Sequence, residues 1–222
     1  MNTTITQREG VKPLAITIGI LNIIMALYVL VLFVFFLNNL FDGPFSTPNL
    51  GKVVSNAFNF FWIAIVFLLL LWFILMKGRL SNGTRTIAIV GLSILLALDI
   101  FATVTNICFT TEKLVDLLTN RIYFISNSLL NLASMIILGI AFITMSHQFE
   151  NTTGKWALAN GVIRLIQALM FLANIIVSFF STKEVLQILS LTNRIIALAF
   201  YITIITFFFK FANNKDTTQI PN

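Results

Sequence analysis

Residues 53–76 read VVSNAFNFFWIAIVFLLLLWFILM, and no polar residue interrupts the stretch after Asn59. A helix needs roughly 20 apolar residues to cross the ~30 Å hydrocarbon core of a bilayer. Six runs of at least that length, separated by short polar turns, make up most of the chain. They are Leu14–Leu37, Val53–Met76, Thr86–Phe109, Ile122–Ser146, Trp156–Phe180 and Leu186–Phe211. Because backbone polar groups inside a bilayer must pair with one another, these runs predict membrane-spanning helices.

The composition predicts the same class of protein. The chain is 58% hydrophobic and 10% charged, and its mean hydropathy is +0.96, whereas soluble proteins have about 25% charged residues. We therefore predict an all-α, polytopic integral membrane protein with six transmembrane helices arranged as three helical hairpins. Residues 1–222 form one membrane domain, with hairpins at about 14–76, 86–146 and 156–211 and polar tails at 1–12 and 212–222. The first run is too long for a signal-peptide core, so we interpret it as a permanent helix.

The formal net charge of +6 has its origin in the turns that set membrane orientation. Lys and Arg accumulate in cytoplasmic loops. Eight of them flank the helix ends on the side of the termini, and five flank the opposite ends. The first group is Arg8, Lys12, Lys77, Arg79, Arg85, Lys155, Lys210 and Lys215, and the second is Lys52, Lys113, Arg121, Lys183 and Arg194. This difference predicts that both termini are cytoplasmic and removes any need for a nucleic-acid partner.

The turns on the side opposite the termini share a pattern, Phe-(Ser/Thr)-Thr-x-x-(Leu/Val). It occurs at residues 45–50, 109–114 and 180–185. Helix capping explains it, because a Thr hydroxyl accepts from an unpaired N–H in the first turn of the next helix. The even-numbered helices are then expected to begin near Pro48, Glu112 and Lys183. The pattern also fits three related hairpins, and from the residues alone it distinguishes poorly between repeats and similar caps.

These turns resemble the Phe-Ser-x-x-x-(Val/Leu) hairpin loops of uncharacterised small multi-pass bacterial inner-membrane proteins. The resemblance covers about ten residues of each hairpin, and those proteins have fewer helices. It implies a bacterial source and no particular activity.

Polar residues inside the third, fourth and fifth runs recur at spacings of three, four and seven, which places them on one face of each helix. Such faces are expected to point into a helix bundle rather than toward lipid. They define a candidate intramembrane polar site made of Asp99, Thr103, Asn106, Asn127, Asn131, Arg164, Gln167 and Asn174.

Asp99 and Arg164 are the charged members of this site. An ionised carboxylate at mid-membrane costs roughly 2.5–3.5 kcal/mol on insertion scales. The two residues differ in height by roughly 7.5 Å at about 1.5 Å per residue, so an arginine side chain can reach Asp99 if the helices touch. The stripes fit a pocket for a small polar ligand, an ion or a proton path. They equally fit hydrogen bonds that hold the helices together. Whether Asp99 is ionised or paired with Arg164 stays open.

The sequence lacks the residue clusters that enzymes use. It contains one histidine, His147, and one cysteine, Cys108, with no His-Glu-x-x-His motif, nucleophile elbow or phosphate-binding glycine loop. We expect no catalytic residues, no metal site, no cofactor and no enzymatic activity. The 23 phenylalanines are expected to face lipid.

Two functions remain open at this stage. The first is a non-enzymatic accessory, regulatory or immunity-type protein, whose partners are the lipid bilayer and a membrane protein or a second copy of the chain. The second is a small transporter or channel subunit that uses the polar site around Asp99 and Arg164. The expected location is the bacterial cytoplasmic membrane. A solvent-connected cavity reaching Asp99 favours transport, and a dry, tightly packed interior favours partner binding.

Overall fold

The computed structural model describes residues 3–40, 48–108, 121–149, 151–180 and 183–213. These residues form six helices and no β-strand. The helices are α1 (Thr3–Leu40), α2 (Pro48–Leu75), α3 (Asn82–Cys108), α4 (Arg121–Ser146), α5 (Asn151–Phe180) and α6 (Lys183–Asn213). All six are long and apolar enough to cross a membrane. The predicted fold class, an all-α integral membrane protein with six spans, is confirmed.

The helices extend beyond the apolar runs that predicted them. The shortest, α4, has 26 residues and is about 39 Å long at about 1.5 Å per residue. The segment predicted as an N-terminal tail is helical from Thr3 onward. As expected, α2 begins at Pro48 and α6 at Lys183, while Glu112 lies outside the described residues.

The six helices form a closed ring. Each helix packs against the next one in the chain, and α6 packs back against α1. The two helices of every predicted hairpin therefore touch, but the most extensive packing joins α4 and α5, which belong to different hairpins. Packing alone thus does not divide the bundle into three separate hairpins.

Glycines allow α4 and α5 to approach closely. A Cβ atom on Gly161 would lie 2.7 Å from the carbonyl oxygen of Gly139, and one on Gly139 would lie 2.8 Å from the Leu165 side chain. Small residues permit such backbone contact between membrane helices. The contact forms although the sequence contains no Gly-x-x-x-Gly motif.

The core lies at one end of the ring. We call the half of the bundle nearest the chain termini the terminal-side half, and the half nearest the α1–α2, α3–α4 and α5–α6 connections the loop-side half. In the terminal-side half, every helix contributes fully buried apolar side chains. In the loop-side half, no described side chain is buried in residues 26–34, 57–64, 169–177 or 191–199.

Aromatic side chains fill the terminal-side half. The Trp72 ring lies edge-on to Phe73, Phe208 and Phe211, at centroid distances of 4.9, 5.3 and 5.1 Å. We call the set the aromatic core; its members are Trp72, Phe73, Phe142, Phe207, Phe208 and Phe211, all buried. The expectation that phenylalanines face lipid is therefore wrong for these residues. Edge-to-face packing of large rings lets them fill the centre of the ring of helices.

Candidate functional site

Arg164 lies inside the bundle on α5, where only 7% of its surface is exposed. One of its guanidinium nitrogens, Nη1, donates a 2.9 Å hydrogen bond to Oε1 of Gln167, one turn further along the same helix. The guanidinium carbon lies 4.3 Å from the ring centroid of Phe200 on α6. A desolvated cation over an aromatic face is attracted to it, so both of these contacts of Arg164 are with uncharged groups.

Asp99 lies on α3 and is half-buried. Its carboxylate accepts a hydrogen bond from the Trp62 side chain and interacts with Arg164 through space, without a hydrogen bond between them. Its Oδ2 atom is buried and has no hydrogen-bond partner. In the ring, α4 stands between α3 and α5. The two charges therefore share one region of the interior but do not form the close contact considered from the sequence.

The other predicted site residues follow the same stripes. Thr103 and Gln167 are buried, and Asn127, Asn131 and Asn174 are half-buried. The side chain of Asn106 lies outside the described part of the structure.

Among the described residues, the hydrogen bonds of the α4 stripe stay within that helix. Nδ2 of Asn131 donates to the Asn127 carbonyl at 3.0 Å, and the Ser134 hydroxyl donates to the Asn131 carbonyl at 2.8 Å. These bonds satisfy side chains without joining two helices. They give little support to the view that the α4 stripe holds helices together through hydrogen bonds.

Asn22 and Trp62 also belong to this region, although the sequence did not identify them as site residues. Asn22 is fully buried on α1; its Nδ2 donates to the Ile18 carbonyl at 2.8 Å, and its Oδ1 has no partner. The sequence did offer one sign of Asn22, because it is the only Asn or Gln in the first predicted run, residues 14–37. Trp62 shares its helix face with the apolar residues Val66 and Leu69, which gave no sign of a polar site, so its contact with Asp99 needed the structure.

A cavity of about 10 Å³ lies at the centre of the bundle beside Arg164. Asn22, Trp62 and Arg164 are its polar neighbours. The rest of its wall is apolar, formed by Val66, Leu69, Phe73, Leu92, Leu95, Leu138, Phe142, Phe200 and Ile204. This volume is about that needed for one water molecule, and cavities with apolar walls stay dry. The cavity is too small for any larger solute.

The described residues offer no metal site, since no group of three or more His, Cys, Asp or Glu side chains comes together among them. Cys108 is exposed at the end of α3, and His147 is exposed in the α4–α5 turn.

The fold and the interior together define a polytopic α-helical membrane protein with a polar, partly charged centre. Compared with protein-family models, with curated proteins and with solved structures, the chain matches none of them.

Proposed function

We propose that this chain is a non-enzymatic membrane protein that acts by binding another membrane component, as an accessory, regulatory or immunity-type partner. The observation that carries the proposal is the closed terminal-side half of the bundle. There the aromatic core fills the ring of helices, and the cavity above it has a volume of only about 10 Å³. An interior packed in this way favours a binding scaffold over a path for solutes.

The loop-side half is the proposed binding surface. The ends of α1, α2, α5 and α6 bury none of their described side chains there, and the half-buried amides Asn127, Asn131 and Asn174 lie at the same level. Polar side chains in a membrane gain stability when another helix supplies hydrogen-bond partners. A partner helix, from another protein or from a second copy of this chain, would cover them.

The charge distribution supports a location in the cytoplasmic membrane of a bacterium with both termini in the cytoplasm. Eight Lys and Arg flank the terminal-side helix ends and five flank the opposite ends, and the positive-inside rule places the side with the excess in the cytoplasm. The bacterial source rests on the hairpin-loop resemblance.

The single cysteine provides the test, because Cys108 is exposed on α3 in the loop-side half. A benzophenone maleimide attached to Cys108 in native membranes should, after illumination, yield a crosslinked species of one defined mass. A species of twice 24.9 kDa identifies a second copy, and mass spectrometry of any other adduct identifies the partner.

The matched control moves the probe along the same helix. In the variant Cys108→Ser with Ser93→Cys, the thiol is again exposed on α3 but lies in the terminal-side half. We expect no defined adduct from it. If both positions yield nothing but heterogeneous lipid adducts, the result contradicts the proposal.

The unpaired Oδ2 atom of Asp99 supports a second function, that of a small transporter or channel subunit. An ionisable side chain near the membrane centre is a feature of proton and ion pathways. Proteoliposomes with an entrapped pH dye test it. A proton flux that is present in the parent and lost in Asp99→Asn supports transport, and a flux equal to that of protein-free vesicles opposes it.

A further inference from the structure

The turn between α2 and α3 carries a concentrated positive charge. Lys77 is exposed in the turn, and Arg85 is half-buried in the first turns of α3. The neighbouring α4–α5 turn is followed by Lys155, which is also exposed. In the sequence, the segments flanking the terminal-side helix ends contain eight Lys and Arg but only three acids, Glu9, Glu150 and Asp216. This end therefore carries nearly all of the net charge of the protein.

Hydrogen bonds hold the α2–α3 turn in one conformation. Gly78 adopts a φ of 80°, which reverses the chain after α2, and the Arg79 N–H donates to the Met76 carbonyl at 3.0 Å. Ser81 caps α3, accepting from the Thr84 N–H at 3.3 Å. Oε1 of Gln148, from the α4–α5 turn, accepts from the Ser81 N–H at 2.7 Å. The cationic side chains thus project from an ordered backbone, and binding a ligand there does not require the turn to fold.

One guanidinium nitrogen of Arg85 lacks an acceptor in this turn. Its Nη1 atom is buried and has no hydrogen-bond partner. The residue lies near the N-terminus of α3, where the helix dipole is positive, and the first turn of α3 contains no acidic residue. A guanidinium group in this position is stabilised by an anion, and it binds phosphate oxygens well because its N–H groups form a planar fork.

Lipid-facing side chains begin directly inside this turn. Ile74, one turn before Lys77, is 48% exposed, and Val90, just over one turn after Arg85, is 46% exposed. The cations therefore lie where the apolar surface of α2 and α3 ends, which is the depth of lipid headgroups. A free anion would use only the charges, whereas a lipid uses the charges and the adjoining apolar surface.

We propose that the α2–α3 turn binds an anionic phospholipid, with its phosphate at Arg85 and Lys77 and its acyl chains along Ile74 and Val90. The site is independent of the partner surface proposed above, which lies in the opposite half of the bundle. Anionic lipids are attracted by about 1 kcal/mol per Lys or Arg near the surface.

Native mass spectrometry of the full chain in detergent tests the site, with phosphatidylglycerol and phosphatidylcholine titrated separately. We expect the parent to bind phosphatidylglycerol more tightly than phosphatidylcholine. The variant Lys77→Gln with Arg85→Gln should lose roughly thirtyfold in affinity for phosphatidylglycerol, from two such charges. The single change Lys77→Gln should lose about fivefold, and because Lys77 is exposed, it should leave the fold intact.

The matched control, Lys12→Gln with Lys210→Gln, removes two charges at the same end from helices outside the turn. It should retain the affinity of the parent. An equal loss in the control would show a diffuse charge effect and overturn the site. So would equal binding of the two lipids, or displacement of phosphatidylglycerol by an equal concentration of inorganic phosphate.

Discussion

Two polar residues of this interior, Arg164 and Asn131, form hydrogen bonds with neighbours on their own helix. Arg164 bonds to Gln167 on α5, and Asn131 bonds to the Asn127 carbonyl on α4. Interhelical hydrogen bonds in membranes contribute only about 0.6 kcal/mol on average. Bonds within one helix can therefore replace them with little loss of stability. The stripes mark which helix face points inward, but they do not determine which helices meet.

The first prediction separates the two charged residues. Arg164→Gln should reduce the free energy of unfolding by about 1–2 kcal/mol, because the loss of the contact with Phe200 and of the bond to Gln167 exceeds the saved cost of burying the guanidinium charge. Asp99→Asn should change the free energy of unfolding by less than about 1 kcal/mol, because the weaker hydrogen bond to Trp62 is offset by removal of the cost of a buried charge. Thermal unfolding in detergent measures both.

The charge swap, Asp99→Arg with Arg164→Asp, provides the control. Because Arg164 bonds to Gln167 and Asp99 bonds to Trp62, exchanging the two charges should not restore stability. If both single variants lose equal stability and the swap recovers it, the two residues form a direct pair.

A second residue-scale prediction concerns Gln148. Its Nε2 donates to the Thr84 hydroxyl at 2.6 Å and to the Ser81 hydroxyl at 3.1 Å, and it joins the α4–α5 turn to the α2–α3 turn. Gln148→Leu should lower the free energy of unfolding by about 1–2 kcal/mol. His147→Ala, a change at the adjacent exposed position, should alter it by no more than about 0.5 kcal/mol. Equal effects of the two changes would mean that these hydrogen bonds contribute nothing.

At the scale of the helices, the closest contact is that of α4 with α5. Gly161→Ala would place a Cβ 2.7 Å from a backbone oxygen, which cannot move aside as a flexible side chain can. Overpacking of this kind costs about 1–3 kcal/mol, and chemical unfolding in mixed micelles measures it. Gly83→Ala, where a Cβ meets nothing within 4 Å, should be neutral or stabilising by up to about 1 kcal/mol. A neutral Gly161→Ala would show that the two helices lie further apart.

The existence of the six helices could be predicted from the sequence because runs of about 20 apolar residues have few alternatives in proteins. The starts at Pro48 and Lys183 followed from capping chemistry in the same way. The neighbours of each helix could not be predicted. Close packing at Gly139 and Gly161 depends on two glycines in different helices meeting at one height, and no spacing within either helix encodes that.

At the scale of the whole molecule, packing differs between the two halves. The aromatic core stabilises the terminal-side half, whereas the loop-side ends of α1, α2, α5 and α6 bury none of their described side chains. The composition predicted abundant phenylalanine but not its two environments. Phe67, at 53% exposure, and Phe207, at 0%, both lie in long apolar runs without clear periodicity. The polar stripes in the sequence predicted that Asp99 and Arg164 lie in the interior. The sequence did not predict the apolar cavity beside Arg164, because its wall is formed by apolar residues from several helices.

This difference gives a prediction for paired truncations. Phe207→Ala should cost about 3–5 kcal/mol through the cavity it leaves. Phe67→Ala, at a lipid-facing position, should cost less than about 1 kcal/mol. Melting temperatures of both variants in the same detergent provide the comparison, and similar losses would contradict the aromatic core as the main source of stability.

Cysteine accessibility along α4 tests the central claim most directly. The claim is that the bundle is closed in its terminal-side half and open to a partner in its loop-side half. Asn131 and Leu138 lie seven residues apart on one face of α4; Asn131 is half-buried and Leu138 lines the central cavity. In a Cys108→Ser background, each position is changed to Cys, and the purified protein, reconstituted at about one copy per vesicle so that no partner covers Asn131, is treated with a charged thiol reagent from either side of the membrane. We expect Asn131→Cys to react and Leu138→Cys to remain unmodified. Rapid modification of Leu138→Cys would contradict the closed interior and favour a transport pathway.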